Sequence, residues 1–519
     1  MSHADAIIGT TTLWELIERR AATSPDHPML FDPTGRTLTF GEFLTAAETT
    51  AAGLQDLGVS AGSRVSWQLP TTIEAIITSA ALSRLGAIQN PIIHLYKERE
   101  VGFALKQTDS SLLIIPGTWR DIDFAQIASR AMAQHDLELE IFDLSAGLPH
   151  GDPSTLGPPP AGSNADDAPV RWIYYTSGST AEPKGVQHTD QTLIAGGWGL
   201  ARALDMSPDD VGSIAFPFAH IAGPDYLVTM LALGFPAILL EAFMPTDAIE
   251  IFNRHGATMV GGSTAFYVAY LTEQRKNPDV SIFPTLRLMS GGGAAKPPNL
   301  HAEVRDEIGG RGIVHGYGMT EVPMIANGSP HDTDEQLANT DGAPVEGATV
   351  RIVKLDGTPA AAGEEGEVRV KGPMVFRGYT DPELNLDAFD EDGWFRTGDL
   401  GILRNDGHLA LTGRLKDVIV RKGENISAKE IEDLLSAHPK VAEVAVIGLA
   451  DPSRGEMVCA VVQAAPGTGE FTFDEMVAYC RDAGLMTQKI PERLELRDEM
   501  PRAGTGKIVK KDLKEIYSA

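Results

Sequence analysis

Val170-Arg171-Trp172-Ile173-Tyr174-Tyr175-Thr176-Ser177-Gly178-Ser179-Thr180-Ala181-Glu182-Pro183-Lys184-Gly185-Val186 is the stretch on which the reading of this chain turns. The apolar run from Val170 to Tyr175 predicts a strand, which passes directly into hydroxyls, glycines and one lysine. Consecutive small residues, Gly178 among them, let backbone N–H groups converge into a concave nest for an anion. Thr176, Ser177, Ser179 and Thr180 add side-chain donors, and Lys184 adds a mobile point charge. A Gly/Ser-rich hairpin would share the composition, but here donors and lysine follow a strand at once. The natural ligand of such a nest is a polyphosphate. The stretch is not a Walker loop, G-x-x-x-x-G-K-[ST], because Pro183 stands before the lysine.

Around this stretch the texture is α/β. Helical spacing of apolar residues covers Leu13 to Ala22, Phe43 to Leu57 and Thr71 to Leu85, with short strands at Arg64 to Leu69 and Leu112 to Pro116. That alternation predicts a largely parallel sheet covered by helices. Ser145 to Pro169 is rich in Pro, Gly, Ser and Asp and reads as a surface loop or subdomain seam. A second α/β run follows from Gly212 to about Val314. From Thr349 short strands alternate with Gly/Asp turns, and from Asp417 a small α/β unit closes the chain.

The 519 residues exceed one core and predict three or four structural units. Lys+Arg is 43 against Asp+Glu 71, a formal charge of −28. The mean field therefore repels phosphate, which argues against nucleic-acid and anionic-membrane partners. A nucleotide would need a local positive pocket. Cys459 and Cys480 supply neither a zinc set nor a disulfide framework, and Met1 to Asp5 lack a signal-peptide start. Both point to the cytoplasm. The longest apolar run, Tyr226 to Leu240, is broken by Gly234 and Pro236, so it predicts a buried helix and strand rather than a membrane span. Gly58-Val59-Ser60-Ala61-Gly62 matches the hydrolase elbow but runs helix, turn, strand, the reverse of what that elbow needs.

Further clusters carry chemistry, each ambiguous alone. Ser290-Gly291-Gly292-Gly293-Ala294 follows the apolar strand Leu286 to Met289, and is either a tight turn or room for a flat ring. His315-Gly316-Tyr317-Gly318-Met319-Thr320-Glu321 follows the strand Gly312 to Val314. Tyr317 can face a purine, Thr320 a phosphate, and Glu321 is a hard ligand suited to Mg2+; taken alone, a core tyrosine beside a surface glutamate is the somewhat better reading. Asp399, after a glycine turn, can accept ribose hydroxyls, and Arg414 can reach ribose or phosphate. Lys507, behind Gly504 and Gly506, is more than a member of the basic tail Lys510, Lys511 and Lys514.

The order T-S-G-S-T-x-x-P-K-G-V, with these clusters behind it, resembles the adenylate-forming enzymes: acyl-CoA synthetases, non-ribosomal adenylation domains and luciferases. The family usually has glycine where this chain has Ala181, which removes freedom at any φ > 0. The resemblance spans nearly the whole chain. It implies a large N-terminal domain, residues 1–414, of two αβ-layered subdomains plus a small β-barrel-like one, and a small mobile α+β C-terminal domain, residues 415–519. It implies that Thr176, Ser177, Gly178, Ser179, Thr180 and Lys184 cradle the phosphates of ATP. Gly292, Gly293, Ala294, Gly316 and Tyr317 would hold adenine, Thr320 the α-phosphate, Glu321 the Mg2+, and Asp399 and Arg414 the ribose. Lys507 would serve adenylation, His220 would lie beside the acyl carboxylate, Lys416 would be the hinge, and Lys422 and Gly423 would line the coenzyme A tunnel.

The implied reaction joins a carboxylic acid to AMP with release of pyrophosphate, then passes the acyl group to CoA. Expected partners are the acid, ATP and CoA, with a homodimer as the assembly to test. A stand-alone acyl-AMP ligase loading a carrier protein is the alternative. An amino acid is disfavoured, because Phe216 is followed by Pro217 and no carboxylate appears before Asp225.

Overall fold

The computed structural model describes Ile7 and residues 9–176, 183–294, 296–421, 424–451, 454–502 and 508–518. Helices start where the sequence places caps. Thr39 and Glu42 form a reciprocal capping box that opens the helix Phe40–Asp56. Thr72 caps Ile73–Leu85, which ends on Gly86 at φ 68°, a left-handed conformation that glycine adopts without strain.

A six-stranded sheet runs in the order Gly185–His188, Trp172–Tyr175, Ile88–Pro91, Arg64–Trp67, Leu112–Ile115, Glu140–Asp143. It is parallel except for the edge strand Gly185–His188, which returns antiparallel against Trp172–Tyr175. Buried Val65, Trp67, Leu112, Ile114 and Trp172 explain its continuous apolar strands, as expected where both faces are covered. The proline-rich loop is pinned to this layer: Arg84 Nη2 donates to Gly157 O at 2.7 Å, and Gln191 Nε2 to Ser163 O at 2.6 Å.

A five-stranded sheet orders Met259–Gly262, Leu288–Gly292 and Ile313–Met319 in parallel, then Val322–Asn327 and Ala343–Pro344 antiparallel. A smaller sheet joins Gly212–Ile214, Ala237–Leu239, Pro28–Phe31 and Thr37–Thr39. The run Tyr226 to Leu240 is the expected buried helix and strand, Ala222–Leu233 and Ala237–Leu239.

Two local expectations are corrected. The strands expected to stop at Met289 and Val314 continue through Gly292 and Met319. Gly291 and Gly292 pair with His315 and Gly316, and a Cβ on Gly292 would lie 2.4 Å from Gly316 O. The glycines are close-packing residues inside a ladder rather than turn residues. Asp399 lies within the strand Phe395–Leu403, which follows the turn that Gly393 closes at φ 76°.

Thr349–Val353, Glu365–Lys371, Phe395–Leu403 and Leu409–Arg414 form an antiparallel four-stranded sheet. Its core of Val368, Val370, Met374, Phe376 and Phe395 also takes in Val186, Tyr317, Val322 and Ile325. This antiparallel sheet thus packs where edges of the six- and five-stranded sheets meet. Past Arg414, Ile419–Arg421, Glu424–Ile426, Val441–Asp451, Gly455–Ala464 and Arg493–Arg497 form a separate sheet, with helices Ala428–Ser436, Phe473–Asp482 and Lys510–Tyr517. The last helix is docked, with Leu513 buried and Lys510 Nζ 2.7 Å from Glu432. Among the described residues, the buried apolar clusters of this C-terminal unit draw only on residues 419 and beyond.

Candidate active site

The neck of the phosphate segment is closed by reciprocal bonds. Thr176 N–H donates to Lys184 O at 3.1 Å, and Lys184 N–H to Thr176 Oγ1 at 3.3 Å. Thr176 therefore clasps the loop's two stems. Ser177, Gly178, Ser179, Thr180 and Ala181 lie outside the described residues, as do Lys422, Gly423 and Lys507.

Residues 377–380 lie along the returning stem. Arg377 N–H donates to Gln187 O at 2.8 Å, Gln187 N–H to Gly378 O at 3.0 Å, and Thr380 N–H to Gly185 O at 2.8 Å. The packing leaves Gly185 no room: a Cβ there would lie 2.5 Å from Thr380 Oγ1. This run delivers Tyr379 to the neck. Its hydroxyl donates to Glu321 Oε1 at 2.7 Å, and Lys184 Nζ stands 5.0 Å from its ring centroid.

Glu321 is only 6% exposed, so it is a buried rather than a surface glutamate. Burial raises its pKa above the usual carboxylate range, against the lowering effect of the Tyr379 hydroxyl and the Lys184 charge. Next to it, the Thr320 carbonyl accepts from His188 Nε2 at 2.7 Å. A carbonyl only accepts, so this pattern assigns the proton to Nε2, and Nδ1 accepts from the Thr192 hydroxyl at 2.9 Å. Complete burial depresses the His188 pKa to about 4, which keeps the ring neutral.

Tyr317 is buried in the core of the antiparallel sheet, and its hydroxyl donates to Asp399 Oδ2 at 2.7 Å. Arg414 Nε holds Asp399 Oδ1 at 3.1 Å, and the two residues are direct partners across the strands. Tyr317, Asp399 and Arg414, singled out separately in the sequence, are thus one connected group. Gly316 has no space for a side chain, since a Cβ would lie 2.1 Å from Asn327 Oδ1, while Gly293 and Ala294 are exposed.

His220 lies in an exposed turn where Nδ1 accepts from Ala222 N–H at 3.3 Å. It shares a crevice with Ile93, Tyr96, Tyr174, Pro183 and Thr320. Lys416 sits in the 3-10 turn Leu415–Asp417, its pKa lowered by burial and by the Arg414 charge. Arg421, just before the undescribed 422–423, is held by Glu492 at 2.9 Å through Nε.

Tyr379 and His188 are the residues that sequence reasoning did not single out. Tyr379 carries no local signal, since its partners Glu321 and Lys184 are remote in sequence. A histidine two residues after Val186 in the short strand Gly185–His188, on the same face by strand alternation, was the available clue to His188.

Among the described residues no cluster of three or more His, Cys, Asp or Glu converges as a metal cage. One buried hard carboxylate, Glu321, fits Mg2+, which keeps water ligands and takes phosphate oxygens rather than an all-protein shell. No helix of the described residues is long and apolar enough to cross a membrane.

A buried acid and a lysine meet across Tyr379 at the neck of the segment joining the strands Trp172–Tyr175 and Gly185–His188. A model of the AMP-binding enzyme family matches residues 17–380, and one of the AMP-binding enzyme C-terminal domain matches 430–507. The chain belongs to this family, within the adenylate-forming acyl-CoA synthetase superfamily. It is 31% identical to the Sulfoacetate–CoA ligase of Cupriavidus necator over 96% of both chains. It is 32% identical to the Feruloyl-CoA synthase of an Amycolatopsis species, covering 96% of this chain and 98% of that one. The solved structure of O-succinylbenzoate Coenzyme A Synthetase from Bacillus subtilis, in complex with ATP and magnesium ion, matches with TM-score 0.84 and 26% identity, covering 96% of this chain and 99% of that one.

Proposed function

We propose that this protein activates an apolar carboxylic acid as its acyl adenylate and transfers the acyl group to coenzyme A. The observation that carries the reading is the meeting of Lys184 and Glu321 across Tyr379 at the neck of the phosphate loop. Its context is a family whose relatives include two CoA ligases and an enzyme solved with ATP and magnesium.

In the first step a carboxylate oxygen attacks the α-phosphorus, and the bond to pyrophosphate breaks. Little covalent chemistry falls to the protein, so catalysis is placement of charge. Lys184 neutralises the departing phosphates, Thr320 donates to the α-phosphate, and Asp399 with Arg414 orients the ribose. Glu321 would hold Mg2+, which supplies charge neutralisation on the phosphate oxygens. Lys507 bridges carboxylate and α-phosphate. In the second step the CoA thiolate attacks the acyl carbon, the carbon–oxygen bond breaks and AMP leaves. Between the steps the unit from residue 415 turns about Lys416, withdrawing Lys507 and presenting Lys422 and Gly423.

The acyl pocket is read from residues 218–224, 262–265, 291–293 and 319–323. These contain no Lys or Arg, so a second anionic group would be left without a partner in a confined site. A fatty, aryl or alicyclic monocarboxylic acid fits better than a diacid. Asp225 is 2% exposed with its pKa raised well above the ordinary carboxylate value by burial. It offers no anion to a substrate amine. The compartment is read as cytoplasmic, in keeping with Cys459 and Cys480 as buried free thiols.

The test is acid-dependent pyrophosphate release across fatty, aryl, alicyclic and dicarboxylic acids, followed by mass detection of the thioester with CoA. Failure of every acid to release pyrophosphate overturns the activity. A clear preference for diacids overturns the pocket reading. Release without CoA thioester moves the acceptor to a carrier protein.

A further inference from the structure

The segment Phe376 to Thr380 touches more of the site than any motif that pointed to it. Phe376 N–H donates to Glu321 O at 2.9 Å, so the segment grips the backbone of the acid. Tyr379 grips its carboxylate through the hydroxyl at 2.7 Å and offers its ring face to Lys184 at 5.0 Å. Thr380 and Arg377 bind the stem that follows Lys184 through backbone bonds to Gly185 and Gln187. Tyr379 itself is held firmly: its N–H donates to Asn385 Oδ1 at 2.7 Å, and its ring meets Phe376 edge-on at 4.8 Å.

We infer that Tyr379 is a positioning residue for adenylation: one phenol sets both the Glu321 carboxylate and the Lys184 ammonium before nucleotide arrives. The two contacts use different chemistry. The hydroxyl makes a charge-assisted hydrogen bond, which fixes the carboxylate's rotation. The ring face attracts the ammonium by its quadrupole without consuming any of the lysine's donors. Lys184 therefore stays poised with its protons available for phosphate, and Glu321 stays aimed with Oε2 outside the Tyr379 bond. A purely structural buried tyrosine would need a partner for its hydroxyl, but not a lysine over its ring.

The inference rests on the adenylation reading above, and the experiment separates the two. ATP binding is measured by calorimetry over a magnesium titration, with and without chelator, for the wild type, Tyr379→Phe, Tyr379→Leu and Glu321→Gln, alone and with Tyr379→Phe. Tyr379→Phe keeps the ring and should raise the magnesium concentration for half-maximal ATP binding about tenfold, the factor for one lost hydrogen bond to a charged group, with magnesium-free binding unchanged. High magnesium should rescue it. Tyr379→Leu should also weaken magnesium-free ATP binding, because Lys184 loses its platform. In the Glu321→Gln background Tyr379→Phe should add less than twofold, as expected for residues acting through one contact. Wild-type magnesium dependence in Tyr379→Phe, or full additivity with Glu321→Gln, overturns the inference while leaving the function standing. A wild type that binds no ATP under any condition overturns the function first.

Discussion

The N-terminal part of the site and the C-terminal unit are built on different principles. In the first, several polar groups are buried and paired. Glu321, Tyr379, His188, Thr320, Tyr317 and Asp399 are joined by bonds of 2.7 Å that cross between sheets. The second has its own apolar core and meets the rest largely through polar groups. Ser427 Oγ donates to Thr412 O at 2.6 Å, and Lys429 and Asp433 act by charge on Lys296 and Asp341. Buried, paired networks resist rearrangement, whereas small polar interfaces permit it. The contrast suits one half that holds a nucleotide still and another that turns.

The strongest way to break that comparison is Lys507→Ala. Loss of one contact to the developing charge should slow pyrophosphate release by about 10²–10³-fold while thioester formation from supplied acyl adenylate persists. Equal loss in both half-reactions, followed by rapid quench, would remove the case for a moving lysine.

Acid should act on the fixed half. His188 titrates near 4 in the folded protein against 6.5 as the ordinary value, so between these pH values the unfolded chain binds more protons. Its contribution is therefore present above pH 6.5 and lost as pH falls toward 4, a swing of about 3 kcal/mol. His94 and His315, also buried and depressed, lie in the same half. Denaturant unfolding at stepwise pH should show His188→Gln losing less stability than wild type across that window; parallel curves would contradict it.

Lys416→Pro probes the junction. Pyrophosphate release should stay within about twofold while CoA thioester output falls to about a tenth or less, since only the turning step needs that backbone. Normal overall turnover would place the pivot elsewhere. The smallest effect is expected from Lys489→Ala, which removes an exposed pair with Glu430 inside the turning unit. Chemical denaturation should register no more than about 0.5 kcal/mol; a larger loss would mean the unit depends on its surface charges.

Much of this architecture was legible in the sequence. The apolar spacing over Phe43 to Leu57 and Thr71 to Leu85 falls on the helices Phe40–Asp56 and Ile73–Leu85, whose starts at the Thr39 and Thr72 caps it did not mark. The change of texture at Thr349 marks the antiparallel sheet, with the strand Thr349–Val353 where expected. The motifs around Tyr317, Glu321, Asp399 and Arg414 converge on the same sheet junction. What was not legible depends on distant partners. A glycine run looks like a turn until a neighbouring strand is known to lie against it, as at Gly292. Tyr379 looks like a loop aromatic until the fold brings Glu321 and Lys184 to it. Tyr317 looked free to stack on a purine, and only the packing shows its hydroxyl committed to Asp399.

On the proposed roles, the pairing of Asp399 with Arg414 would put the ribose site and the pivot on one short lever. Arg414 ends its strand, and the turn containing Lys416 begins at the very next residue. A sugar competing for that carboxylate competes with the final tether ahead of the turn. Under that proposal, occupancy by AMP and freedom of the C-terminal unit would be mechanically linked.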